Sequence, residues 1–195
     1  MTSSPPRAIY LDHSATTPVS ALALEAMLPY FSEYYGNASG IYRQGRIAKQ
    51  ALEEARSSVA DVLNASPAEI VFTSCGSESD NMVLRGAAWR ARQTNRGNHL
   101  ITSAVEHKAV IVTAQELADL HGFAVTVLPV DGYGRVDPDD LRAAIRPDTF
   151  LISVMAANNE VGRSNPSPPC PPLPTSTASP FTPMPCKRRA ICPWT

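Results

Sequence analysis

Glu69-Ile70-Val71-Phe72-Thr73-Ser74-Cys75-Gly76-Ser77-Glu78-Ser79-Asp80-Asn81 is the stretch around which the chain is organised. A short apolar run, Ile70, Val71 and Phe72, gives way to small polar residues and then to Leu84, Ala87, Ala88 and Ala91 at helical spacing. The pattern predicts strand, turn, helix. When a buried strand hands over to a helix through Gly76 and Ser77, unpaired N–H groups and the positive end of the helix dipole point at one spot. Such a spot holds a phosphate. The same residues also suit a plain helix start, with Ser77 and Asp80 close to a capping box and Ser74 or Ser77 satisfying helix N–H groups. The glycine pattern is neither the dinucleotide fingerprint nor a P-loop, so spacing alone leaves both readings open.

Upstream, residues 8–11 form a short apolar strand or extended arm, and Asp12-His13-Ser14-Ala15-Thr16-Thr17-Pro18 reads as a loop. Residues 20–31 are amphipathic, with Ser20 as the cap, and residues 41–63 read as a long helix stopped at Asn64. Downstream, the helix after Ser77 runs to about Arg96, and residues 99–103 form a strand leading through Glu106 and His107 into a helix that Gly122 stops. Residues 124–129 are another strand, Asp137-Pro138-Asp139-Asp140 opens a helix, and residues 150–155 are a further buried strand. Alternation of this kind predicts an α/β fold with a mostly parallel sheet and helices on both faces. Three strands then deliver polar tips at their carboxyl ends: Gly76 with Ser77, His107, and Asn159 with Glu160. Ligands of open α/β sheets bind at that edge. A histidine after a strand also serves as a helix cap, and paired asparagines also make turns.

At 195 residues and net charge −1, the chain can build one full core, and its charge balance makes no case for nucleic acid or a membrane surface. It has no apolar run long enough to span a bilayer, which places it in the cytoplasm by expectation. Its character changes after Gly162. Residues 163–195 carry ten of the eighteen prolines, three of the four cysteines and no acidic residue. Such a segment continues neither a helix nor a central strand. Cys170, Cys186 and Cys192 do not match zinc spacing. The expected division is therefore 1–162 as a folded unit and 163–195 as a Pro-rich, disordered tail, with a ligand for an SH3-like partner as the alternative for residues 168–174.

Taken together, Asp12 to Pro18, Phe72-Thr73-Ser74, Glu78-Ser79-Asp80-Asn81, Thr102-Ser103 with Glu106-His107-Lys108-Ala109-Val110, and Asn158-Asn159-Glu160-Val161-Gly162 closely resemble the cysteine desulfurases of the class V aminotransferase fold. The resemblance implies the large domain of a pyridoxal-phosphate (PLP) dependent transferase, here partial. It implies an activity that takes sulfur from L-cysteine, giving alanine and an enzyme persulfide that feeds iron–sulfur cluster and thiocofactor assembly. A sulfur-acceptor protein and a homodimer of the full-length enzyme are the implied partners. By the same resemblance, Gly76 and Ser77 cradle the cofactor phosphate, with Cys75 where the family usually has glycine. His107 stacks on the pyridine ring and assists proton transfer, and Asn159 lies near the ring oxygen and the substrate carboxylate. Asn37 falls in a loop used near the active site, where Ala38 and Tyr42 replace the family's proline and histidine. No metal is implied. The alternatives are a selenocysteine lyase or another class V enzyme, and a non-catalytic interaction protein that pairs with a full-length relative.

In that family, the lysine that binds the cofactor, the aspartate on the pyridine nitrogen and the persulfide cysteine all lie beyond the point where this chain stops resembling it. Lys187 lacks the family's Ser-x-His-Lys surroundings, and Cys75 does not match the persulfide loop. The chain alone is thus expected to be inactive. Back-translated and read from the last base of each preceding codon, Ser164-Asn165-Pro166 permits Gln-Pro, a pair the family often places soon after Asn-Asn-Glu-x-Gly. In the same frame, residues 181–187 permit His-x-Asp-Ala-Val-Gln, the family's pyridine-nitrogen motif. The expectation is one base missing near the codon for Arg163. The gene sequence checks it: a downstream open frame should encode the absent lysine and cysteine motifs, and its absence would refute the reading.

Overall fold

The computed structural model describes residues 9–13, 15–160 and 162–165. The chain divides after Phe72 into two compact units. The first contains helices α1 (Ala21–Met27), α2 (Pro29–Ser32) and α3 (Arg43–Leu63), followed by a 3-10 turn at Pro67–Glu69. Ser20 caps α1 as expected, its hydroxyl accepting from the Ala23 amide. The helix expected over residues 20–31 is split, because Pro29 has no N–H to extend α1 and instead starts α2 at its first position. Asn64 ends α3 in the left-handed conformation, φ 51°. Neither α1 nor α2 buries a residue, and α3 buries only Gly45 and Ala60. Residues 9–11 carry no strand, and Ala8 lies outside the described residues.

The opening stretch forms no strand either. Ile70, Val71 and Phe72 are irregular, with Val71 and Phe72 exposed, and the Arg56 guanidinium donates to the Ile70 carbonyl while lying 5.1 Å from the Phe72 ring centroid. The apolar pattern asks for a strand. A strand, however, exists only where a neighbour takes up its backbone groups, and among the described residues none pairs with these.

The second unit has the expected architecture. It comprises α4 (Gly76–Gln93), β1 (His99–Ser103), α5 (Lys108–His121), β2 (Ala124–Leu128), α6 (Pro138–Ala144) and β3 (Thr149–Ser153). The strand order is β2-β1-β3, parallel throughout, with Leu100 opposite Val125 on one side and Leu151 on the other. Successive residues of β1 face opposite ways. Leu100 therefore joins Leu84, Ala88, Val110, Ala114 and Leu117 of α4 and α5, while Ile101 joins Leu128, Val136 and Leu141 on the α6 side. Gly97 has φ 143° and lets the chain pass Asp148, whose carbonyl oxygen would lie 2.1 Å from a Cβ. Asp137 caps α6, accepting from the Asp139 amide at 2.8 Å, with Pro138 at its first position.

The chain leaves β3 into a small antiparallel hairpin of β4 (Ala157–Asn158) and β5 (Arg163–Ser164), turned by Gly162 at φ 66°. The boundary expected after Gly162 thus falls inside a paired element. Asn165 is buried: its side-chain oxygen accepts from the Val136 amide and its Nδ2 donates to the Met155 carbonyl. The Pro-rich segment from residue 166, with Cys170, Cys186, Lys187 and Cys192, lies outside the described residues. Among the described residues no helix is long and apolar enough to cross a membrane.

His99 ties the three strands at the end opposite their polar tips. It is fully buried, with Nδ1 2.7 Å from the Thr149 hydroxyl and Nε2 2.8 Å from that of Thr126. Burial lowers its pKa below 6.5, Arg146 adds to the effect, and Asp148 opposes it. An imidazole whose folded pKa is depressed contributes stability above the unfolded value and loses it as the pH falls toward the folded one. Wild-type protein is expected to lose stability relative to His99→Gln as the pH drops below 6.5. Urea unfolding of both proteins across that range checks this, and equal pH slopes would contradict it.

Candidate functional site

The site is assembled where helices start and strands end. Helix α4 begins at Gly76, with Cys75 as its N-cap and no side chain capping it. The amides of its first turn have no carbonyl ahead of them to bond, so they face outward with the positive end of the dipole. A Cβ placed on Gly76 would meet nothing within 4 Å, and the space over the helix start is open. The capping box suggested by Ser77 and Asp80 does not form. Glu78 instead reaches back to Ser74, accepting from its amide and its hydroxyl at 2.6 Å each. The Ser74 hydroxyl, then its amide, lower the Glu78 pKa. That carboxylate is turned onto Ser74, and Thr73 and Ser79 pair through their hydroxyls at 2.6 Å.

His107 is the N-cap of α5. Its Nδ1 accepts from the Ala109 amide at 3.1 Å, which leaves the ring proton of the neutral imidazole on Nε2. The capping alternative for this histidine is thus realised, and the ring is also exposed at the strand-end edge. Asn159 is exposed in the turn after β4, whereas its neighbour Asn158 is buried and structural. Asn158 Nδ2 donates to the Val105 carbonyl at 2.9 Å, which joins the turn carrying His107 to the turn carrying Asn159. A groove of about 110 Å³ lined by Asp80, Val83, Val110, Ile152 and Ser153 puts the start of α4 beside the start of α5 and the end of β3. Gly76, Ser77, His107 and Asn159 therefore share one edge of one unit. Asn37 belongs to the other unit, where its side chain accepts from the Ser39 amide. A cavity of about 460 Å³ lined by Val130, Asp131, Arg135, Asp137 and Asp140 contains none of these four residues. No group of His, Cys, Asp or Glu among the described residues is placed to hold a metal ion.

Sequence reasoning missed the residues that hold this edge together. Asn81 donates to the Ser77 carbonyl, while its oxygen accepts from the buried Thr113 hydroxyl at 2.9 Å and from Arg85 at 3.2 Å. Arg85 in turn forms a two-pronged ion pair with Glu116, at 3.2 and 2.6 Å. That pairing raises the arginine pKa and lowers the glutamate's. The first turn of α4 is thereby fixed against α5. The spacing of Ser77, Asn81 and Arg85 at steps of four was the available signal, since it puts them on one helix face.

The family profile described as aminotransferase class-V matches residues 9–170. The chain belongs to the class V aminotransferase family. Among curated relatives of this class V chain, the cysteine desulfurase IscS of Methanosarcina thermophila is 52% identical over 160 residues, which are 82% of this chain and 39% of that protein. A solved NifS-like protein superposes with a TM-score of 0.76 at 43% identity, covering 81% of this chain and 43% of its own. The structure of SspA in complex with cysteine gives 0.74 at 40% identity, covering 80% of this chain and 44% of its own. The class V chain thus spans about 39% of the length of the curated relative it matches.

Replacing Asn81 with alanine leaves the buried Thr113 hydroxyl without its acceptor. The expected cost is about 1–3 kcal/mol. Equilibrium urea unfolding reads it, and a midpoint equal to wild type would show that Asn81 does not join the helices.

Proposed function

We propose that this chain carries the phosphate-binding, ring-stacking and carboxylate-contacting part of a pyridoxal-phosphate cysteine desulfurase. The observation that carries the reading is the convergence of an uncapped helix start at Gly76 and Ser77, an exposed imidazole at His107 and an exposed amide at Asn159 on one sheet edge. These groups fit a phosphorylated aromatic cofactor. Outward backbone amides and a hydroxyl suit the phosphate, and the open space at Gly76 leaves room for it. His107 offers a ring to stack and Nε2–H to donate, and Asn159 offers an amide to a ring oxygen or a carboxylate.

When bound, pyridoxal phosphate supplies an electron sink for bonds made and broken at the α-carbon of an amino acid. The part played by this chain's own residues is binding, orientation and the holding of a proton on His107 Nε2. The helix dipole of α4 favours the dianion, and the commitment of Glu78 to Ser74 keeps its carboxylate off the amides that receive it. Turnover needs an amine, an acid on the ring nitrogen and a thiol nucleophile as well. The lysines are Lys49, Lys108 and Lys187, and none follows the Ser-x-His pattern. On this reading the chain alone binds cofactor without turnover. L-cysteine as substrate, a sulfur-acceptor protein, a homodimer and a cytoplasmic setting belong to the complete enzyme.

Titration of the purified chain with pyridoxal 5′-phosphate, followed by cofactor fluorescence, should show saturable binding that inorganic phosphate competes away. Ser77→Ala should weaken it about tenfold, the worth of one hydrogen bond to a charged group. No sulfide should be released from L-cysteine. Binding that does not saturate, or sulfide released by the chain unaided, would overturn the reading.

A further inference from the structure

Two segments leave the sheet at the proposed site, one after β1 carrying His107 and one after β3 that runs through β4 to Asn159. Each sends a side chain to the backbone of the other. Glu106 Oε1 accepts from the Ser103 hydroxyl at 2.9 Å and from the backbone amide of Met155. In the return direction Asn158 Nδ2 donates to the Val105 carbonyl at 2.9 Å, while its oxygen accepts from the Glu160 amide at 2.8 Å. The Met155 carbonyl is held in turn by Asn165 Nδ2 at 2.9 Å. Both backbone groups of Met155 are thus fixed by side chains from elsewhere, and the residues next to Glu106 and Asn158, His107 and Asn159, are ones assigned to the cofactor.

We propose that Glu106 is a positioning residue, which with Asn158 forms a reciprocal latch that sets His107 and Asn159 in register with each other. The inference rests on the functional reading above and deepens it. Loops have no ladder to fix them, so side-chain to backbone bonds decide where their tips stand. Burying an acid for this purpose has a cost, visible in a Glu106 pKa raised by burial and by Asp80 on α4, against the two hydrogen bonds that lower it. A neutral side chain of the same shape would hold the fold as well. Both hydrogen bonds end on a single oxygen, so the latch depends on the position of that acceptor and not on its charge. Glutamine retains such an acceptor and alanine does not.

The test uses the whole chain with isotope-labelled histidine, which gives four ring signals. E106A is expected to broaden or shift the His107 ring resonance while leaving that of His99, buried in β1, in place. E106Q should superimpose on wild type. Pyridoxal 5′-phosphate affinity should fall about tenfold in E106A and be rescued in E106Q. Should E106A not yield folded protein, Asn158→Ala cuts the return arm with Glu106 intact and should move the same His107 signal. An unchanged His107 resonance in E106A or Asn158→Ala overturns the proposal, as does an E106Q protein perturbed as much as E106A. Failure of the wild type to bind the cofactor would sink the functional reading instead, and the His107 signal would still decide the latch.

Discussion

The second unit depends on one strand being paired on both sides. β1 takes β2 on one flank and β3 on the other, both parallel, and is buried over its whole length. Parallel strands need crossover helices, and crossovers put helices on both faces of the sheet. From this follow the two core clusters, divided at the neighbouring residues Leu100 and Ile101. It also follows that every strand exit lies at one edge, because strands that run the same way finish together. The site is a consequence of this parallel pairing, and its residues are the ones that happen to follow strand ends or start helices.

That edge must satisfy a large number of backbone groups without a ladder, and it does so with side chains. Glu78 serves Ser74, His107 serves Ala109, Glu106 serves Met155, and Asn158 serves both Val105 and Glu160. Acidic residues near the proposed anion cradle would ordinarily oppose it. Here Glu78 and Glu106 each accept two hydrogen bonds from nearby protein donors, so part of their charge is already answered. The outward amides at the start of α4 keep the positive end of the dipole.

Much of this was legible from the residues. β1 has the expected limits, α5 ends at the glycine that was expected to stop it, and α6 begins at the Asp-Pro pair. These are places where local chemistry and tertiary packing agree, so pattern suffices. Gly76 and Ser77 reach the edge without the strand expected before them, whereas the candidate residues His107 and Asn159 could be placed there by topology. The supporting network could not, because Asn81 meets Thr113 from 32 residues away and Glu106 meets Met155 from 49. No periodicity encodes a bond of that span. The pair at Asn158-Asn159 illustrates the limit: the sequence offers two like side chains, and burial alone separates the structural one from the exposed one.

The segment at residues 70–72 shows the same limit from the other side. Ile70, Val71 and Phe72 have high strand propensity, yet propensity in a sheet is mostly the packing and pairing of neighbours. With no strand paired to it among the described residues, the Ile70 carbonyl turns to the Arg56 guanidinium and the Phe72 ring takes the same cation at its face. β3 presents the matching situation as a formed strand, paired with β1 on one side and, among the described residues, with nothing on the other. After Thr149 its residues are only half-buried, whereas all those of β1 are buried. The difference between the two segments lies in one pairing. β3 has β1 to template its backbone and therefore exists as a strand, while residues 70–72 have the side chains for a strand and, among the described residues, no strand to pair with. The helix that follows them nevertheless starts where expected, because α4 is held by its packing on β3 and α5 and by the Asn81 network, and requires no strand before it.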